Sequence, residues 1–370
     1  MTYHKAGFSG DLKGILKDVS RTLYLSIKIL PEPLKTSMAM GYLVARTMDT
    51  VTDCPALDAA SKRGMLALFR GLENRNNAWE LGGRIKQAAG SISSQKEKEL
   101  LFKFEKIAAL YAAFSEAELA PLKALVDGVA KGMEMDLDVF QGGAGPEERE
   151  SGHKYKARPA ESKGRGVTAL KTEDELKTYC ALIGGEPGIF WARLYRETIR
   201  RNNINFGKFS SDADAGLIGS ALQITNVLKD LAADLRMGRC YLPLSDLNGA
   251  GLKPEDLLDP KKMERLRPVV YKWICWAVDQ LDLSEAFLSS VPKTEMALRA
   301  AFIWPVYWAM DTLQEIARAN LLDPLCCPKI KRSRIYSTIL STPPLLLSNT
   351  AFANGYRFRR ETLIVQISGR

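Results

Sequence analysis

The stretch "LQITNVLKDLAADLRMGRCYLP", residues 222–243, decides the fold. Ile224, Val227, Leu231 and Leu235 recur at intervals of three and four, the period of an α-helix with one apolar stripe. Beside it runs a second stripe of Gln223, Asn226, Asp230 and Asp234. On a wheel of about 100° per residue, Asn226, Asp230 and Asp234 fall within about 80° of one another. Two like charges four residues apart on a helix repel by roughly 0.2–0.5 kcal/mol. A solvated face is normally filled with Lys and Glu, whereas short oxygen donors on a rigid helix suit a hard divalent cation that keeps several waters. "DTVTD", residues 49–53, repeats the spacing, and Tyr42, Arg46, Asp49 and Asp53 share a face there. One such pair reads most simply as two solvated acids. Two pairs, one with Arg and the other with Asn and Gln, argue for a joint task. If both faces line one cavity, four carboxylates hold Mg²⁺ against phosphates that Arg21, Arg46 and Lys229 contact as cations.

Working outward, helical periodicity covers residues 34–51, 57–72, 96–114, 116–140, 173–201, 212–235, 263–288 and 295–320. Alternating strands bounded by turn signals are missing, which predicts an all-α protein of one domain. Residues 141–171 break the pattern. They are rich in Gly, Pro and charge, and from His153 onward carry six basic residues against Glu161 alone. They read as a surface loop or as a basic flap over an anionic substrate.

Composition narrows the chemistry further. With 46% apolar and 26% charged residues, the 370-residue chain is globular rather than disordered. The apolar run at 301–310 contains Pro305 and is far below the ~20 residues a bilayer needs, and the N-terminus lacks a secretory apolar segment. Six cysteines without paired spacing and only two histidines argue against zinc and for free thiols in a reducing cytoplasm. The net charge of +9 suits an anionic partner: nucleic acid, anionic lipid or a diphosphate. A nucleic-acid binder leaves the four aspartates unexplained.

"YLVARTMDTVTD", residues 42–53, together with residues 222–243, resembles the squalene/phytoene synthase family of head-to-head prenyl synthases. "SRTLYLSIKILP" (20–31) is similar to the family's N-terminal phosphate-contact segment, and "YCALIGGEPGIFWARL" (179–194) to a later helix bearing a Tyr and an AG-V-G pattern. The resemblance spans roughly residues 15–340. It implies an all-α, single-domain isoprenoid-synthase bundle around a central cavity, with the domain at 1–345 and a tail at 346–370. Asp49, Asp53, Asp230 and Asp234 would bind Mg²⁺ (Mn²⁺ as a substitute) and diphosphate, with Asn226 assisting the metal and Gln223 lining the site. Ser20, Arg21, Arg46 and Lys229 would contact diphosphate, Tyr179 would act near the carbocation or in proton removal, and Tyr241 would close the site.

The implied reaction condenses two farnesyl diphosphates through a cyclopropyl diphosphate, followed by NADPH reduction to squalene. The alternatives are a phytoene or dehydrosqualene synthase, or an enzyme that stops at the cyclopropyl diphosphate and acts with a partner. The Tyr-Leu-x-x-Arg-x-x-Asp-Thr form of residues 42–50 is the squalene synthase form. The basic stretch "KIKRSRIY" (329–336) falls where that group has a segment linked to NADPH, so Lys329, Lys331 and Arg332 become cofactor candidates, or simply a solvated helix face. Thr52 and Ala233 stand where eukaryotic squalene synthases carry a further acid, and Lys229 stands where an Arg is usual. Lys cannot form a bidentate fork. The expected protein is monomeric and cytoplasmic, binds no nucleic acid and attaches peripherally to a membrane, with Arg357, Arg359 and Arg360 as headgroup contacts.

Overall fold

The computed structural model describes residues 10–20, 22–140, 166–201 and 210–369, which group into two compact units, 10–140 and 166–369. Arg21 and residues 141–165 of the expected loop lie outside the described residues.

The first unit is built from α1 (Gly10–Ser20), α2 (Leu23–Lys28), α3 (Leu34–Thr52), α4 (Ala59–Arg70), α5 (Arg75–Ala89), α6 (Gln95–Phe102), α7 (Phe104–Ala112) and α8 (Glu116–Val139). Its core is α3 against α8. Met38, Leu43, Val44, Met48 and Val51 of α3 and Leu122, Leu125, Val126 and Val129 of α8 are buried. Arg70 ties α4 to α8, donating from Nε to Asp127 (2.9 Å) and from both terminal nitrogens to Glu134 (2.6 and 2.8 Å).

The second unit contains α9 (Glu173–Cys180), α10 (Glu186–Arg201), α11 (Asp212–Arg236), α12 (Leu244–Gly249), α13 (Met263–Leu281), α14 (Ser284–Ser290), α15 (Met296–Arg318), α16 (Arg332–Leu340), α17 (Thr342–Leu347) and α18 (Asn349–Ser368). At its centre, α11 is packed by α10, α13 and α15. A capping box starts it: Ser211 Oγ accepts from the Asp214 N–H (3.0 Å), and the Asp214 carboxylate accepts from the Ser211 N–H (3.1 Å).

The helix expected over 173–201 is interrupted by a π-turn at Ala181–Gly185, where the Glu186 N–H donates to the Ala181 carbonyl. Pro187 follows directly, with no N–H to offer the carbonyl four residues back. The turn lays Gly184 directly on Gly219 of α11, so closely that a methyl group on either would overlap the other's carbonyl oxygen. Gly219→Ala must push the two backbones apart. It should lower stability by about 1–3 kcal/mol, read by urea unfolding; a loss below about 0.5 kcal/mol would mean the helices are free to separate.

Two departures from the sequence reading stand out. Thr168–Ala169 pairs in parallel with Arg239–Cys240, a two-residue ladder too short to show period-2 alternation. Residues expected as a tail form α18, whose Phe352, Tyr356 and Leu363 are buried and which packs along α15. Phe352 stacks on Tyr307 at 5.3 Å, and the Tyr307 hydroxyl donates to the Phe352 carbonyl (2.8 Å). Buried Arg299 clasps this region by donating to the carbonyls of Leu288 (2.9 Å) and Val291 (2.7 Å) and to Asn349 Oδ1 (2.7 Å). Burial of the guanidinium holds its pKa below the ordinary arginine value. Among the described residues, no helix is long and apolar enough to cross a membrane.

Candidate active site

On α3, side-chain chemistry sorts the motif's oxygens. Thr47, Thr50 and Thr52 donate their hydroxyls to the carbonyls of Leu43 (2.7 Å), Arg46 (3.0 Å) and Met48 (3.0 Å), so the threonines serve the helix itself. Asp49 remains about 40% exposed, and Asp53, just past the last helical residue, is half-buried. Arg46 reaches forward one turn to pair with Asp49 and across to pair with Glu97 at the start of α6. Burial works against the Arg46 charge, but Asp49 and Glu97 outweigh it and hold the guanidinium above its ordinary value. Tyr42 donates to the Val19 carbonyl (2.8 Å), which fixes α3 against the end of α1. Ser20 is buried there, with its hydroxyl turned back to the Leu16 carbonyl.

Glu97 is the residue that sequence reading missed. It is the third residue of α6, where Ser94 Oγ accepts from its N–H (3.4 Å). That position reads as a helix cap, and only the fold reveals that the carboxylate serves Arg46.

On α11, Asn226, Lys229 and Asp230 form one cluster. The Lys229 ammonium donates to Asn226 Oδ1 (2.7 Å) and lies 3.4 Å from the Asp230 carboxylate. Asp230 is about half exposed, whereas Asp234 is 8% exposed. A pair of solvated acids would not divide this way. Asp234 turns inward far enough for its charge to add to the elevation of the Cys240 thiol, pushed up to about 12 chiefly by burial. Gln223 is half-buried over Gly184, so the close glycine contact sets its place.

The helix ends at Arg236, and Gly238 at φ +78° turns the chain into the short ladder; only glycine enters that region without strain. The Thr168 N–H donates to the Gly238 carbonyl (2.9 Å) and the Leu170 N–H to that of Cys240 (3.1 Å). This ladder delivers Tyr241 onto Tyr179 of α9, with the rings stacked at 4.6 Å and 27° and both residues buried. The two tyrosines are thus brought together. Lys329, Lys331 and Arg332 are exposed at the approach to α16 and its first residue.

No three His, Cys, Asp or Glu side chains gather into a metal cluster among the described residues. The donor set still fits Mg²⁺. That ion keeps several waters and takes one or two protein carboxylates alongside substrate phosphates, rather than a dedicated protein cage. Asp49 with Asp53, and Asn226 with Asp230 and Asp234, are hard oxygen donors of that kind.

A model of the squalene/phytoene synthase family matches residues 16–332. The chloroplastic phytoene synthase of Daucus carota is 29% identical over 149 residues, covering 40% of this chain and 35% of that protein. The 15-cis-phytoene synthase of Enterobacter agglomerans is 29% identical over 151 residues, covering 41% of this chain and 44% of that protein. The matched stretch spans less than half the length of these relatives. Among solved structures, TcSQS in complex with the ligand E5700 superposes with a TM-score of 0.67 at 18% identity, covering 98% of this chain and 99% of the other. A dehydrosqualene synthase in complex with a ligand gives 0.52 at 16% identity, covering 93% and 96%. Both likenesses are of fold, the all-α isoprenoid-synthase architecture. The match across residues 16–332 makes the chain a member of the squalene/phytoene synthase family.

Proposed function

We propose that this chain condenses two farnesyl diphosphates head to head and reduces the product with NADPH to squalene. The carrying observation is that each acidic helix already holds a cation of the chain against its oxygens, Arg46 on Asp49 and Lys229 on Asn226 and Asp230. Bound Mg²⁺ would supply neutralisation of the departing diphosphate as its charge develops. Arg46 and Lys229 then turn from the carboxylates to phosphate oxygens, where charge-assisted hydrogen bonds are strongest. The stacked Tyr179 and Tyr241 rings offer an aromatic face that favours a carbocation over water. The Tyr42-Leu43-x-x-Arg46-x-x-Asp49-Thr50 form supports the reductive reading. The enzyme works as a cytoplasmic monomer at a membrane surface.

Purified protein given farnesyl diphosphate and Mg²⁺ should release squalene only when NADPH is present. Dehydrosqualene irrespective of NADPH, or phytoene from geranylgeranyl diphosphate, would overturn the reductive assignment. Accumulation of the cyclopropyl diphosphate alone would show that a partner completes the reaction.

A further inference from the structure

Arg46 divides its guanidinium between two helices. Nη1 pairs with Asp49, one turn ahead on α3, and Nη2 pairs with Glu97 of α6. Nε is buried and meets no acceptor among the described residues. An orphaned donor of that kind fits a site that takes an anionic ligand. The two carboxylates differ in exposure. The Asp49 side chain is 40% exposed and that of Glu97 18%, so Asp49 is the one open to an arriving metal ion.

Glu97 is held by its own helix. It is the third residue of α6, and its N–H donates to Ser94 Oγ (3.4 Å), with Ser94 itself buried. A carboxylate in the first turn is favoured by the unsatisfied N–H groups there. Leu100 and Leu101, one turn on, are buried, and α6 packs against α1, α3 and α5. The place of Glu97 is therefore set by α6, independently of Asp49. Arginine offers its N–H donors in one rigid plane, so a single fixed contact restricts where the others point. If Asp49 takes up Mg²⁺, it must release Nη1. Glu97 need not move.

We propose that Glu97 is a positioning residue for the diphosphate site. It retains Nη2 as a pivot while Asp49 gives up Nη1, which then meets a phosphate oxygen at a set angle. The inference rests on the diphosphate chemistry proposed above and is independent of which prenyl product forms.

The test compares Glu97→Gln with Glu97→Ala. Both remove the same charge, and Gln alone keeps an oxygen for Nη2. Glu97→Ala should lower kcat for farnesyl diphosphate by about 10–100-fold, the loss expected of a misplaced binding group. KM should not rise, since an anion has been taken from beside an anionic substrate. Glu97→Gln should stay within about threefold of the wild type. In an Arg46→Lys background the difference between the two variants should vanish, because Glu97 acts through the guanidinium plane. Thermal melting accompanies each variant, and a smaller folded fraction would lower kcat equally in both backgrounds. Equal losses in the Gln and Ala variants would overturn the proposal, as would an Ala loss that persists after Arg46→Lys. A wild type that turns over no prenyl diphosphate would overturn the diphosphate chemistry itself, and this inference with it. An active wild type matched by Glu97→Ala would overturn this inference alone.

Discussion

Asp230→Asn should lower turnover by about 10²–10³-fold, the loss typical when one preorganised electrostatic group is removed from a reacting centre. Asn keeps the shape and one oxygen but removes the anionic charge that a divalent ion requires. The fold should be indifferent. The carboxylate is about half exposed, and its 3.4 Å approach to Lys229 is a surface pairing, worth at most about 1 kcal/mol. The measurement is steady-state turnover of farnesyl diphosphate together with a thermal melt. A rate within about tenfold of wild type would remove Asp230 from the diphosphate machinery. Asp234→Asn is less informative because that side chain is buried, so stability and activity would fall together.

Asp311→Ala should lower stability by about 3 kcal/mol or more. Asp311 is 4% exposed and accepts from Arg334 twice, at 2.8 Å each, and from Arg359 at 3.1 Å. The two arginines contribute unequally. Arg334 is 45% exposed and screened by water, whereas Arg359 is 12% exposed and would be left buried without its anion. Asp311→Asn retains a hydrogen-bond acceptor and should lose less than Ala. Urea unfolding of both variants checks the order, and a loss below about 1 kcal/mol for Ala would show that water reaches Arg359 freely. Because the pair also pins α16, Asp311→Ala should increase hydrogen exchange in 332–340 before it does so in α11.

Helices whose apolar residues form a wide stripe were legible from periodicity. The expected 34–51 and 212–235 correspond to Leu34–Thr52 and Asp212–Arg236. The first helices and α5 escaped. In α5, Asn76, Asn77, Gly82 and Gly83 lower helix propensity, and the buried seam of Leu81, Ile85, Ala88 and Ala89 is narrow. Tertiary packing holds that helix. In α18 the arginines read as solvent-facing because their acids, Asp282, Glu285 and Asp311, lie about 50–80 residues earlier.

Of the candidate site, the sequence shows a spacing pattern. Four-residue spacing announced both aspartate pairs, since a helix converts sequence interval into geometry directly. Spacing says nothing about partners brought in by folding. Glu97 reaches Arg46 across 51 residues, and Tyr241 reaches Tyr179 through a ladder of two residues a side. The unequal burial of Asp230 and Asp234 was also hidden, because a wheel gives direction around one helix and not the position of its neighbours.

The cations resting on Asp49 and on Asn226 and Asp230 bear on how an anion arrives. Were either helix to show two bare carboxylates, its local field would repel a diphosphate just where capture must occur. With Arg46 and Lys229 in place, that near-field repulsion is reduced but not cancelled, since Arg46 is shared between Asp49 and Glu97 and Lys229 answers only Asp230, and the chain's excess of nine positive charges sets the long-range pull. In the proposed reaction, capture becomes an exchange of ionic partners, in which Asp49 and Asp230 each give up one positive neighbour for another. On that reading the free enzyme holds its acids at a lower kinetic cost to the encounter than bare carboxylates would impose.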